Sequence, residues 1–291
     1  MNPQNTLSPI IPRQFDYLLI GHVTQDLTPN GPVLGGTVSY SAHMAAAMGL
    51  NVGIITAAPE DVDLSALASF PIYRIPSDKI TTYENIQTPQ GRIQYLHQRA
   101  KTITADDFPS EWGNAKIVHL APVANEIDPG LVDTFPDAFI GITAQGCLRA
   151  TDDQHRVHYS PWLNASQVLV HCNAVIISLE DVENQEARIQ EFLKYSDILV
   201  VTEGENGARV YWKGDVRHFS APNVNVVDLT GAGDIFAAVF FVRLHVTQDP
   251  WLACAQAVHL ASSSVTRRGV EGVPTTQEVQ SALIEIVAGK K

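Results

Sequence analysis

Val226-Val227-Asp228-Leu229-Thr230-Gly231-Ala232-Gly233-Asp234-Ile235-Phe236-Ala237-Ala238-Val239-Phe240 runs from an apolar pair, through a loop with two glycines, into an apolar helix. Glycine lets a backbone bend sharply and approach a ligand with no side chain in the way. The first amides of a helix have no internal partners and point at whatever lies before its N-terminus. That arrangement suits a phosphoryl group gathering negative charge, with Asp234 beside it to take a proton from an attacking hydroxyl. The residues alone leave a second reading open, a plain helix start whose carboxylate is favoured by the dipole. No Gly-Lys-Ser/Thr follows, so the loop is not a Walker A sequence, nor is it a dinucleotide fingerprint after a first strand.

Around this loop the chain has an α/β rhythm. Residues 16–21 read as a buried strand. After a turn at Pro29-Asn30-Gly31-Pro32 and the pair Gly35-Gly36, the alanine-rich stretch to Leu50 predicts a helix from near residue 38, stopped by Gly49. Strands follow at 51–57, 115–120, 138–142, 174–178 and 197–202, with a helix expected over 182–193. Residues 81–99 alternate apolar and polar on both sides of Pro89-Gln90-Gly91, which predicts a hairpin and a candidate lid. Segments 207–214 and 216–219 read as an antiparallel pair, and helices are expected near 233–245, 250–265 and 275–288. The alternation points to layered α/β structure.

Bulk properties narrow the class. The 291 residues are 45% hydrophobic, enough for one large core. The net charge of −12 disfavours nucleic acid and anionic membrane as partners, but not a phosphate held by backbone amides. Cys147, Cys172 and Cys254 are scattered and read as small buried hydrophobes in a reducing compartment. Among the ten histidines no short metal-ligand spacing occurs. Residues 1–14 form a polar leader without a signal-peptide pattern, and no apolar run reaches membrane-span length. A cytoplasmic protein with no nucleic-acid and no membrane partner is the expectation.

The chain resembles the ribokinase-like (PfkB-type) family of carbohydrate and nucleoside kinases. The family signature, close to Asp-Thr-x-Gly-Ala-Gly-Asp, stands here as Asp228 to Asp234, and Gly21 to Asp26 and Gly35-Gly36 match its N-terminal motifs. The resemblance implies a three-layer α/β/α sandwich over 15–291, with a mostly parallel central sheet and a small β lid from segments near 22–34 and 81–99. It implies ATP-dependent phosphoryl transfer to a hydroxyl of a sugar or polyol, with Asp234 as general base and the Gly231-Ala232-Gly233 backbone as anion hole. The implied acceptor contacts are Asp26, Gly35, Gly36, Tyr40 and Arg149 together with Asp234, and the hairpin arginines Arg92 and Arg99 are candidates to reach inward. On the nucleotide side stand Thr202, Gly204, Gly207, Thr230, Gly231 and Gly233, with Ala253 to Arg268 similar to the segment flanking adenine. Ser178-Leu179-Glu180-Asp181 occupies the place of the family's Asn-x-x-Glu motif, so Asp181 and Glu180 are candidates for Mg2+. Asp228 and Thr230 are candidates for a monovalent-cation site. ATP and Mg2+ are the implied cofactors, K+ a further candidate, a small molecule the partner, and a monomer or homodimer the assembly.

Several positions depart from the family pattern. Tyr40 replaces an asparagine near the acceptor, Thr143 stands where many members carry aspartate, and Ser178 and Asp181 replace Asn and Glu. Some inositol-kinase-like relatives share the aromatic residue after the di-glycine, which keeps a cyclic polyol among the acceptors. The segment Pro59 to Phe70 is short, trimming an early layer. A nucleoside kinase and a catalytically weak kinase-like binding or regulatory protein are the alternatives.

Overall fold

A computed structural model describes residues 14–88 and 91–288. Most of the expected leader and the hairpin tip at Pro89-Gln90 lie outside the described residues. In chain order the strands are β1 (Phe15–Ile20), β2 (Thr24–Thr28), β3 (Gly31–Gly35), β4 (Val52–Ala58), β5 (Ile72–Pro76), β6 (Thr81–Thr88), β7 (Gly91–Gln98) and β8 (Ala115–Leu120). There follow β9 (Phe139–Thr143), β10 (Arg149–Thr151), β11 (Val157–Tyr159), β12 (Ala174–Ser178), β13 (Ile198–Thr202), β14 (Ala208–Trp212) and β15 (Asp215–Phe219). The helices are α1 (Thr37–Ala47), α2 (Ala165–Leu169), α3 (Glu186–Leu193), α4 (Ala232–Thr247), α5 (Pro250–Ser264) and α6 (Thr276–Ala288).

The large sheet has the order β15-β14-β13-β12-β9-β8-β1-β4-β5. From β13 to β5 every pairing is parallel, and β14 and β15 add an antiparallel edge. Side chains alternate across it. Tyr17, Leu19, Ile54, Ile117, Ile176 and Val200 face one way, into a core shared with α1, α4, α5 and α6. Leu18, Ile20, Ile55, Val118, Val175 and Val201 face the other, toward α2, α3 and several 3-10 turns. Burial on both faces explains why these strands read as continuous apolar runs. The architecture is the expected three-layer α/β/α sandwich.

Helix α4 is apolar around most of its circumference, and Phe240 and Phe241 are fully buried. Such a helix is stable only when enclosed; each phenylalanine contributes about 2–3 kcal/mol by burial. The alanines of α1 allow it to lie closely along α4. Helix α5 starts where Asp249 accepts from the amides of Trp251 and Leu252 at 2.9 and 3.1 Å, with Pro250 in the first turn.

A second sheet is ordered β3-β2-β6-β7. A ribbon of β10 and β11, absent from the sequence reading, meets β7 through the Tyr95–Arg156 bridge. Two strands of three residues are too short for an alternation signal.

The expected helix over 182–193 is shorter, since α3 begins at Glu186. Ser178 and Asp181 cap each other, the Ser178 amide donating to Asp181 Oδ2 at 2.8 Å and the Asp181 amide to Ser178 Oγ at 3.0 Å. Glu183 and Asn184 then take left-handed conformations (φ 51° and 57°) that close a separate turn. Between β4 and β5 only a 3-10 turn at Ser65–Leu67 is present. All three cysteines are free and buried. Among the described residues no helix is long and apolar enough to cross a membrane.

Candidate active site

Strand β1 lies where the sheet order reverses: β4 and β5 extend to one side of it, β8 and its successors to the other. Ligands of open α/β sheets bind beyond the C-terminal strand ends at such a switch point. The chain leaves β1 there, passes through Gly21-His22-Val23 and enters β2, which carries Asp26.

The 231–234 turn opens α4. Gly231 is its N-cap at φ 79°, a conformation that costs a side-chain-bearing residue about 1–2 kcal/mol. A Cβ at that position would also overlap the ring of Tyr40. The Ala232 amide turns back to Leu229 O at 3.3 Å, and the first helical bond runs from Ile235 N to Gly231 O at 2.9 Å. The amides of Gly233 and Asp234 therefore precede the helical ladder. A Cβ on Gly233 would meet nothing within 4 Å, so this part of the turn is open to a ligand.

Burial raises the Asp234 carboxyl from its ordinary 3.8 to about 6. A hydrogen bond from Thr37 and the charge of Arg149 act against that rise, and the charge of Asp26 adds to it. Burial also raises Asp26, opposed by the Thr24 hydroxyl (3.2 Å to Oδ1) and by Arg149 and Arg92. Burial, then the carboxylates Asp234, Asp228 and Asp26, push the Tyr40 phenol up to about 12. Residues 26, 40, 149 and 234, far apart in sequence, thus share one electrostatic neighbourhood.

Arg149 is held by two contacts. Its Nη1 donates to Val123 O at 3.1 Å and its guanidinium lies 5.6 Å from the Tyr83 ring centroid. Gly35 and Gly36 have a visible packing requirement: a Cβ at Gly35 would lie 2.6 Å from Asp26 Oδ2, and one at Gly36, where φ is 93°, would lie 2.7 Å from His22 O. Tyr40 is only 8% exposed, so its ring is chiefly a wall behind Gly231. Arg99 does not reach inward as the hairpin reading suggested. It is committed to Ala124 O (2.7 Å), Asn125 O (2.7 Å) and Thr102 Oγ1 (3.0 Å). Arg92 is exposed, within electrostatic reach of Asp26.

Among the residues expected to meet the donor, Thr202 pairs in register with Ser178 at the ends of β13 and β12, next to the 178–181 turn. Glu180 is exposed, and Asp181 uses Oδ2 to cap Ser178. Gly204 and Gly207 take positive φ (57° and 97°), and the Gly207 Cα packs against Phe219 O. The Asp228 Oδ1 accepts from Thr230 N (2.9 Å) and Thr230 Oγ1 (2.7 Å), and its Oδ2 from Gly269 N (2.9 Å). These bonds dock the loop onto the turn after α5 and, against partial burial, hold the Asp228 carboxyl below its ordinary range. Among the described residues no group of three or more His, Cys, Asp or Glu is placed to hold a metal.

Sequence reasoning missed a buried junction between the two sheets. Glu126, fully buried, accepts from the amides of His22 (2.9 Å), Val123 (3.0 Å) and Ala124 (2.7 Å). His22 Nε2 donates to Lys101 O at 2.8 Å and Nδ1 accepts from Thr81 Oγ1 at 2.7 Å. Because Lys101 O can only accept, the proton belongs on Nε2. Thr37 and Ser41 were also missed; hydroxyls just after a di-glycine carry no signal until α1 and α4 are known to touch.

The fold defines an α/β/α protein with a smaller second sheet whose β2 follows β1 at the switch point. The profile of the pfkB family carbohydrate kinases matches residues 164–276. Fructokinase of Escherichia coli is 34% identical over 198 residues, 60% of this chain and 63% of that protein. Ribokinase of Bacillus subtilis (strain 168) is 38% identical over 102 residues, 34% of each. The chain thus spans less than two thirds of the length of these relatives. In fold it is similar to a pyrophosphate-dependent kinase in the ribokinase family complexed with a pyrophosphate analog and myo-inositol (TM-score 0.76, 19% identity, 91% of this chain and 99% of that one). It is also similar to Arabidopsis thaliana ribokinase complexed with ribose and ATP (TM-score 0.71, 16% identity, 93% and 99%). Residues 164–276 thus resemble the pfkB family of carbohydrate kinases, and the fold is the one shared with these ribokinase-family structures.

Proposed function

We propose that the chain is an ATP-dependent phosphotransferase acting on a hydroxyl of a sugar or polyol. The observation that carries this reading is the Asp234 carboxyl, raised to about 6 at a helix start whose leading amides are open to a ligand. Such a carboxylate is ionised near pH 7 yet more basic than an ordinary one, which suits a general base. Asp234 takes the proton of the attacking hydroxyl, and the backbone of the 231–234 turn receives the charge of the transferring group. Asp26 accepts hydrogen bonds from acceptor hydroxyls, with Arg149, Gly35, Gly36 and Tyr40 shaping that side of the crevice.

The donor belongs with Thr202, Gly204, Gly207 and Thr230. Mg2+ typically keeps several waters and binds one or two carboxylates plus substrate phosphates. Asp181, which caps through one oxygen, and exposed Glu180 fit that limited demand. When bound, the ion supplies charge neutralisation on the phosphates. Asp228 and Thr230 are proposed to border a monovalent-cation site such as one for K+.

A panel of sugars, polyols and nucleosides, run with Mg2+, with ATP or pyrophosphate as donor and with or without K+, tests this reading. ADP release with one class of sugar or polyol supports it. ATP binding without ADP release across the whole panel overturns it in favour of a binding or regulatory protein.

A further inference from the structure

Arg209 gathers the segments expected to meet the donor. It stands on β14, in register with Val201 of β13 and His218 of β15. Its Nε donates to Glu203, in the loop between β13 and β14. Its Nη2 and Nη1 donate to the two carboxylate oxygens of Glu186, the first residue of α3, at 2.7 and 3.2 Å. Nη1 also donates to Tyr211 Oη at 3.0 Å. The Glu203 side chain is only 12% exposed, and its second oxygen lies 3.5 Å from His218 Nε2. The loop that Glu203 opens is closed on itself. The Glu203 amide donates to Gly207 O at 2.8 Å, while Asn206 N and Gly207 N donate to Glu203 O and Gly204 O at 3.1 and 3.0 Å. On its other side, Thr202 O accepts from Leu179 N of the 178–181 turn at 2.9 Å.

We propose that Arg209 is a positioning residue that clamps the 202–207 loop to the start of α3, which the 178–181 turn leads into, and so holds the two flanks of the donor site together. The assignment of these segments to the donor rests on the kinase reading above; the clamp itself does not. A guanidinium presents several donors in a fixed planar fork, so one side chain can hold two carboxylates at once. An exposed ion pair would contribute little. Glu203 is nearly enclosed, and without Arg209 its carboxylate would lose its principal cation, so the loop would have to move to return it to water. Among the described residues the hydrogen-bond partners of Arg209 are Glu186, Glu203 and Tyr211, none of them on the acceptor side. Its effect should therefore fall on the donor.

The test measures amide hydrogen exchange in the protein without ligands, and KM for donor and acceptor separately with the substrates the panel identifies. Arg209→Met keeps the length of the side chain but removes the charge and the fork. The Asn206 and Gly207 amides are expected to exchange about tenfold faster, while those of Ile142 and Val175 in the buried sheet keep their rate. The donor KM is expected to rise about tenfold, with the acceptor KM little changed. Arg209→Lys is expected to leave the donor KM raised, because a point charge cannot bridge both carboxylates. If Arg209→Met does not fold, Glu203→Gln replaces it, with the same direction expected in both measurements. Unchanged exchange at Asn206 and Gly207, equal acceleration at Ile142 and Val175, equal rises in both KM values, or a donor KM fully restored by lysine overturns the proposal. If the panel finds no turnover, the kinase reading fails while the exchange measurement still decides whether Arg209 positions the loop.

Discussion

Asp26 lies within electrostatic reach of Asp234 and adds to the rise that burial imposes on its carboxyl, while Arg149 beside both pulls it down. The two neighbours therefore predict opposite shifts. Asp26→Asn removes a negative charge, so Asp234 should ionise at lower pH and the acid limb of kcat should move below about 6. Arg149→Met removes the opposing positive charge, and the limb should move to higher pH. Shifts of about half to one pH unit are expected from single charges at this range. Profiles of kcat for the two variants check this; movement in the same direction would contradict the assignment of Asp234 as the titrating base.

Asp234→Asn should abolish turnover and make the protein more stable at neutral pH. The folded protein holds this carboxyl at about 6 against an ordinary 3.8, so ionising it is harder in the folded than in the unfolded state. The stability is fully present below 3.8 and is lost as pH rises through about 6. That cost reaches at most about 3 kcal/mol above pH 7, and partial exposure reduces it. Urea unfolding at pH 8 should show the asparagine variant more stable by about 1–3 kcal/mol, with the gain gone near pH 4. Equal stability at pH 8 would falsify the raised ionisation.

The fold was legible because its signals are periodic. Buried parallel strands such as Ala174–Ser178 are short apolar runs, and the Gly49 and Pro250 punctuation bounds real helices. The 228–234 loop and the di-glycine were legible because their backbone demands leave few residue choices. What stayed hidden depends on contacts between distant segments. Glu126 looks like a surface carboxylate until the amides of His22, Val123 and Ala124 are seen to converge on it. Arg99 reads as an inward-reaching cation until the 124–125 carbonyls claim it. Asp181 reads as a helix-start carboxylate, and its reciprocal capping with Ser178 is what delays the helix.

Gly231→Ala should lower turnover at least a hundredfold while the protein stays folded. The methyl meets the Tyr40 ring, and φ 79° disfavours alanine in addition. The two causes separate in a double variant. Tyr40→Ala removes the overlap but leaves the backbone cost, so Gly231→Ala/Tyr40→Ala should recover stability only in part. Thermal melts of the single and double variants measure this, and full additivity of the two losses would show that ring and turn are not coupled.

Buried imidazoles should make the protein acid-labile well above the carboxylate range. His119 is fully buried, between Tyr17 Oη at 3.0 Å and Thr143 Oγ1 at 3.1 Å, and burial lowers it from 6.5 to about 3. Burial lowers His22 as well, with Glu126 opposing. The unfolded chain takes up a proton below 6.5 that the folded protein refuses. The stability is thus present above 6.5 and is lost as pH falls toward the folded value, by about 1.4 kcal/mol per pH unit for each fully neutral imidazole. Asp234 acts with the opposite sign: in the folded state it takes up a proton as pH falls through about 6 and offsets roughly one imidazole across part of that range. The acid loss should therefore be steeper in Asp234→Asn than in the unaltered protein between pH 6.5 and 5. Adding His119→Gln to Asp234→Asn should reduce the slope by about one proton. Urea titrations at half-unit intervals resolve this, and parallel slopes in the single and double variants would mean that His119 is already charged in the folded state.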